Sequence, residues 1–176
     1  MVSSRTSRDH VHLFFFSPIA NHTFGSFHAD MLKIDMQDKH MSSCSMKPDY
    51  LVSLLSDEGE QLDLFCMEAK TPEANKGDMD FIKLANSMKL MVDELVSRGC
   101  PLVSAVSFGS LLHGATMITY EMRLAHKATY LMKEISMLPM PCSFEHLDLL
   151  LPMISSIMYI SETIENHQEL IAALKA

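Results

Sequence analysis

Tryptophan is absent from this chain of 176 residues, and its four cysteines, Cys44, Cys66, Cys100 and Cys142, lie far apart with no C-x-x-C pair. That spacing signals neither a zinc site nor a disulfide framework. Basic residues are also in deficit. Against 22 Asp and Glu there are 14 Lys and Arg, a formal charge of −8, which excludes a broad basic surface and tight, non-specific binding of nucleic acid over the whole molecule. A local basic groove is still compatible with that total. The sequence has no Gly-rich phosphate loop, no nucleophile elbow and no internal repeat. The apolar run from Val11 to Ile19 is broken by His12, Ser17 and Pro18. It is too short to span a membrane and lacks a cleavage site, so the expectation is a soluble intracellular protein with no membrane partner.

What is present describes a folded domain. Hydrophobic residues make up 48% of the chain and charged residues 20%, a globular rather than disordered composition, and the length fits one domain with a sizeable core. Sixteen methionines give that core a plastic filler, to which no function attaches. Cys66 lies within an apolar stretch and reads as a buried thiol in a reducing compartment.

Residues 1–8 are polar and expected to fray, leaving 9–176 as a single domain. Asp9 is placed to cap a helix over residues 9–28, which Pro18 is expected to kink or restart. His10 and His12 diverge on such a helix and do not form a metal pair. Residues 31–36 fit a short strand. Tyr50 to Leu55 and Leu62 to Met67 are apolar on both faces, as central strands are, with turn chemistry between them at residues 56–60. A loop over 71–77 leads to a helix from about 78 to 98, capped by Asp78 or Asp80. Its core face is Phe81, Leu84, Ala85, Met88, Val92 and Leu95, with Lys83, Lys89 and Asp93 outside that stripe.

A second hairpin is predicted from residues 102–111 and 115–124, turning at His113-Gly114, with Gly109 marking a bulge or a close approach. A strand over 129–137 follows and is stopped by Leu138-Pro139-Met140-Pro141. Residues 144–175 are helical, broken at Pro152, with Ile154, Ile157, Met158, Ile160 and Ile164 facing the core. This order of elements describes an α/β or α+β domain with a central mixed sheet flanked by helices.

The chemistry concentrates in the first hairpin. A turn at Glu58-Gly59 sets Asp49 opposite Glu68, Leu51 opposite Cys66 and Leu55 opposite Leu62, with Lys70 on the same face as the two acids. A carboxylate pair beside an ammonium group can hold a divalent metal and activate water. The same spacing also fits a cross-strand acid pair that a lysine partly neutralises.

Pro48-Asp49, an intervening hairpin and Glu68-Ala69-Lys70 together resemble the motif of the PD-(D/E)XK nuclease superfamily, whose aspartate, second acid and lysine line one end of a small mixed sheet. The chain is also similar to a group of uncharacterised nuclease-like domain proteins of early-diverging fungi. That similarity lies in Phe16-Ser17-Pro18-Ile19, Met67 to Pro72, Asp80 to Leu84, Phe108-Gly109 and Tyr120-Glu121-Met122, and spans most of the chain from about residue 7. The resemblance implies a restriction-endonuclease-like fold and hydrolysis of DNA or RNA phosphodiesters with Mg²⁺, or Mn²⁺ in its place. It makes Asp49 and Glu68 the metal ligands and Lys70 the residue that activates water. Lys76 and Lys83 are then candidate phosphate contacts, with Lys47 beside them. One departure stands out: Ser7-Arg8-Asp9 carries arginine where many members have a helix glutamate, so that either Asp9 replaces it or the position is lost. Two rivals share the sequence data. One is a nuclease-like domain without catalysis, acting as an interaction module or mobile-element remnant. The other is a structural α+β binding protein with no nuclease ancestry.

Overall fold

The computed structural model describes residues 11–28, 32–36, 39–55, 59–70, 77–141 and 143–174. Residues 1–8, expected to fray, the expected Asp9 cap, His10, residues 56–58 of the expected hairpin turn and Lys76 lie outside the described residues.

The first helix, α1 (Val11–His28), runs through Pro18 without a break, where a kink or restart was expected. Pro18 is on the exposed side of the helix, where water can serve the carbonyl that loses its helical donor. Phe16, Ala20 and Phe24 recur at one-turn spacing and are buried. Three antiparallel strands follow, β1 (Leu32–Met36), β2 (Tyr50–Leu55) and β3 (Gln61–Lys70). Helix α2 (Gly77–Ser97) then crosses over, so that β4 (Val106–His113) lies parallel to β3. The antiparallel β5 (Thr116–His126) and β6 (Thr129–Pro139) complete a six-stranded mixed sheet in sequential order, β1-β2-β3-β4-β5-β6. A 3₁₀ turn over Phe144–Leu149 leads into α3 (Leu150–Leu174). The fold is α+β, with a central mixed sheet flanked by helices.

The two faces of the sheet are covered differently. Phe65 and Phe108 pair across β3 and β4 and look toward α1 and α3: Phe24 packs on Phe65 at 5.9 Å between ring centroids, and Tyr159 packs edge-on against Phe108 at 6.1 Å. Cys66 and Gly109, the next pair, look toward α2. A Cβ on Gly109 would come within 2.7 Å of Met88 Sδ and 2.9 Å of Leu84 Cδ1. This glycine therefore marks a close approach of helix to strand, not a bulge, and the β4–β5 register runs past it unshifted. Ser107 Oγ ties the same strand to α2 by donating to the Met88 carbonyl at 2.9 Å.

Several boundaries depart from the sequence expectations for identifiable reasons. The strand expected from residue 102 begins at Val106, because the Pro101 carbonyl accepts the N–H groups of Ser104 and Ala105 at 2.8 and 2.9 Å and so closes a turn. Strand β6 continues to Pro139, not Met137. It is an edge strand, where a missing N–H is tolerated. Pro152 does not break the last helix, since it is the third residue of α3 and first-turn N–H groups have no helical acceptor. Helix α2 starts at Gly77, which puts Asp78 and Asp80 inside its first turn and not at the cap.

The buried stripe of α3 is Met153, Ile157, Ile160 and Ile164. Met158 is exposed and Ile154 half-buried, a rotation of the predicted face toward Met153. Phe81 is likewise exposed on α2, resting edge-on against Tyr120. By length and composition alone, Phe144–His167 is a stretch apolar enough to cross a membrane, with mean hydropathy 1.3.

Candidate functional site

Strand β3 is central in the sheet, and every residue from Leu62 to Glu68 is buried. Its register with β2 is the expected one at the motif end, where Leu51 faces Cys66 and Tyr50 faces Met67. Beyond Val52 the register slips by one residue, so Leu62 faces Leu54, and Leu55 faces Gln61 in place of the expected Leu62. The cause is visible in the side chains. Asp63 is fully buried opposite Ser53, and its carboxylate gathers Ser53 Oγ at 2.7 Å, Gln61 Nε2 at 2.8 Å and the Ser42 N–H at 2.6 Å. A buried carboxylate requires such donors, and the bulge delivers them. The signal for this cluster was a lone aspartate inside an otherwise apolar strand.

At the other end of the hairpin, Asp49 precedes the first residue of β2 and binds the backbone on both sides of Glu68. Its N–H donates to the Met67 carbonyl at 2.9 Å, and its Oδ2 accepts the Ala69 N–H at 2.7 Å. The structure thus brings Asp49 and Glu68 together at one end of the sheet. Glu68 itself is fully buried and pairs with Leu111 on the α2 face. Its Oε2 accepts from Lys83 Nζ at 2.7 Å, and the same ammonium donates to the Lys47 carbonyl at 2.9 Å. Lys83 therefore links α2, β3 and the Lys47-Pro48-Asp49 segment. The expected role of Lys83 as an outward phosphate contact has to share the side chain with this ion pair.

The backbone of Lys70 closes β3 opposite His113, two residues beyond Glu68; its side chain and all of Lys76 lie outside the described residues. Burial, followed by the charges of Glu68 and Asp63, pushes the Cys66 thiol well above its ordinary pKa, with the Lys83 ammonium opposing. Cys66 is consequently a neutral, inert thiol beneath the acids.

Among the described residues no three His, Cys, Asp or Glu side chains gather where they could hold a metal ion. Asp49 and Glu68 are carboxylates, the hard ligand type that Mg²⁺ takes singly or in pairs beside waters and phosphate oxygens. Sequence reasoning located the acids through local register but missed the Glu68–Lys83 pair, since no periodicity relates a strand residue to a residue on the crossover helix. It also missed a cavity between α3 and the sheet, lined by Glu121, Arg123 and Tyr159 among others. Compared with models of protein families, with curated proteins and with solved structures, the chain matches none.

Proposed function

We propose that the protein is a metal-dependent phosphodiesterase of the PD-(D/E)XK type, with a restriction-endonuclease-like fold acting on DNA or RNA. The observation that carries the reading is the convergence of Pro48-Asp49 and Glu68-Ala69-Lys70 at one end of a mixed sheet flanked by helices, with Asp49 bonded to the backbone on either side of Glu68. Asp49 and Glu68 are the residues that would hold the cation. When bound, Mg²⁺ or Mn²⁺ supplies positive charge against the phosphate oxygens and the attacking water. Lys70 either takes the water's proton as a neutral amine or orients the water while solvent takes that proton; the water oxygen attacks phosphorus, the P–O bond to the leaving oxygen breaks, and that oxygen is protonated from solvent. Lys83 positions Glu68 through their ion pair, and Lys76 is a candidate backbone contact.

A second reading has its own support. Glu68 is ion-paired to Lys83 and Asp49 is hydrogen-bonded to Ala69, which is what a nuclease-like interaction module without catalysis also requires. Incubation with single- and double-stranded DNA and RNA in Mg²⁺ or Mn²⁺ separates the two. The nuclease reading expects cleavage that falls by at least about a hundredfold in Lys70→Ala. No products from either protein favour the interaction module, and equal cleavage by the two removes Lys70 from the catalytic role.

A further inference from the structure

On the sheet face opposite Glu68, a cavity of about 270 Å³ opens between α3 and the start of β4, lined by Val106, Glu121, Arg123, Tyr159, Asn166 and His167 among others. It has room for about nine waters at ~30 Å³ each, the scale of a small organic molecule. Arg123 pairs with Val106 near the beginning of β4, whereas Glu68 lies at the end of β3 beneath α2. The two sites are therefore separate.

The polar groups in this cavity divide into those already engaged and those on offer. Glu121 is 7% exposed and both its oxygens are occupied, Oε1 by Arg123 Nη2 and Oε2 by Tyr159 Oη at 3.4 Å. Both ring nitrogens of His167 are in contact with carbonyl oxygens, those of Thr163 and Ser104, so this histidine ties the 101–105 turn to α3. What is left is a set of donors. Arg123 uses one guanidinium nitrogen on Glu121, and neither its other nitrogens nor the Asn166 amide has a partner among the described residues. Beside them, Val106 and the Tyr159 ring, held edge-on by Phe108, supply an apolar wall.

We propose that this cavity binds a small organic monocarboxylate with an aromatic or branched apolar body, its two oxygens on Arg123 and Asn166 and its body against Val106 and Tyr159. A planar guanidinium fork matches a carboxylate, and Glu121 both fixes the orientation of Arg123 and repels a dianion such as a phosphate monoester. Glu121 is the one carboxylate among the lining residues, and both of its oxygens are already engaged.

Phenylacetate, with phenylacetamide as its uncharged analogue, tests the assignment by titration calorimetry and saturation-transfer NMR on the whole chain. Phenylacetate is expected to bind with a Kd on the order of 1 mM or tighter and about tenfold more tightly than the amide. Arg123→Gln removes that preference, and Asn166→Ala, an exposed helix substitution that leaves the fold intact, weakens phenylacetate about threefold. The proposal is overturned if the amide binds as well as the acid. It is equally overturned if both variants bind phenylacetate as the wild type does, or if inorganic phosphate displaces it. None of these results depends on phosphodiester cleavage.

Discussion

Glu68 is the residue on which the candidate site turns, because a fully buried carboxylate exists only with its counter-charge and donors in place. Lys83 supplies that charge from a side chain that is 37% exposed, so solvent screens part of the pair. Lys83→Met is therefore expected to lower stability by about 1–3 kcal/mol, read as a drop in the urea midpoint with an unchanged slope. Lys83→Arg, which keeps the charge, should recover most of the loss. If Lys83→Met is as stable as the wild type, Lys83 is a surface lysine and its link to Glu68 contributes nothing. Asp49 plays a smaller electrostatic part in the fold. Its carboxylate replaces a ladder hydrogen bond at the entry to β2 and so fixes where the motif begins.

At the scale of elements, the packing of α2 on β3 and β4 decides whether Lys83 reaches Glu68. Gly109 permits that packing, since a Cβ there would run into Met88 and Leu84. Gly109→Ala is expected to cost about 1 kcal/mol or more as α2 shifts outward, measurable by denaturant unfolding. A neutral result would mean that the two flexible side chains absorb the methyl group. Much of this level was legible in the sequence. Strands β2 and β3 read as largely apolar runs because both of their faces are covered, and their motif-end register followed from a local turn. The bulge beyond Val52 was not legible. It serves the buried Asp63, whose donors come from Ser42 and Ser53 as well as the neighbouring Gln61. Pro18 and Pro152 were read as breakers by residue type, whereas solvent exposure for one and first-turn position for the other make each harmless. The faces of α2 and α3 were misjudged at Phe81 and Met158, apolar residues that the tertiary fold leaves exposed.

For the whole molecule, buried acidic groups set an upper limit on pH. Burial raises the Tyr50 phenol above its ordinary value, and burial with neighbouring negative charge does the same for the Cys66 thiol. Below the ordinary values, roughly 8.5 for Cys and 10 for Tyr, both groups are protonated in the folded and unfolded chains and their contribution is intact. As pH rises further the unfolded chain ionises first and binds fewer protons than the folded one, so stability falls. The urea midpoint should be flat from about pH 7 to 8 and decline toward pH 11. Tyr50→Phe, which removes the phenol and its bond to Asn21, should make the upper part of that decline shallower. A flat profile to pH 11 would contradict the burial of both groups. The charge of −8 bears on the proposed function, which would require nucleic acid to meet a restricted basic face, with Lys47, Lys70, Lys76 and Lys83 as the proposed candidates for it. The most direct test of the central claim is Mn²⁺ binding followed by electron paramagnetic resonance, with a cleavage-resistant phosphorothioate oligonucleotide present. One ion per chain is expected, bound at least about tenfold more weakly in Asp49→Asn and in Glu68→Gln. Binding that neither substitution changes, or no bound ion at all, would contradict it.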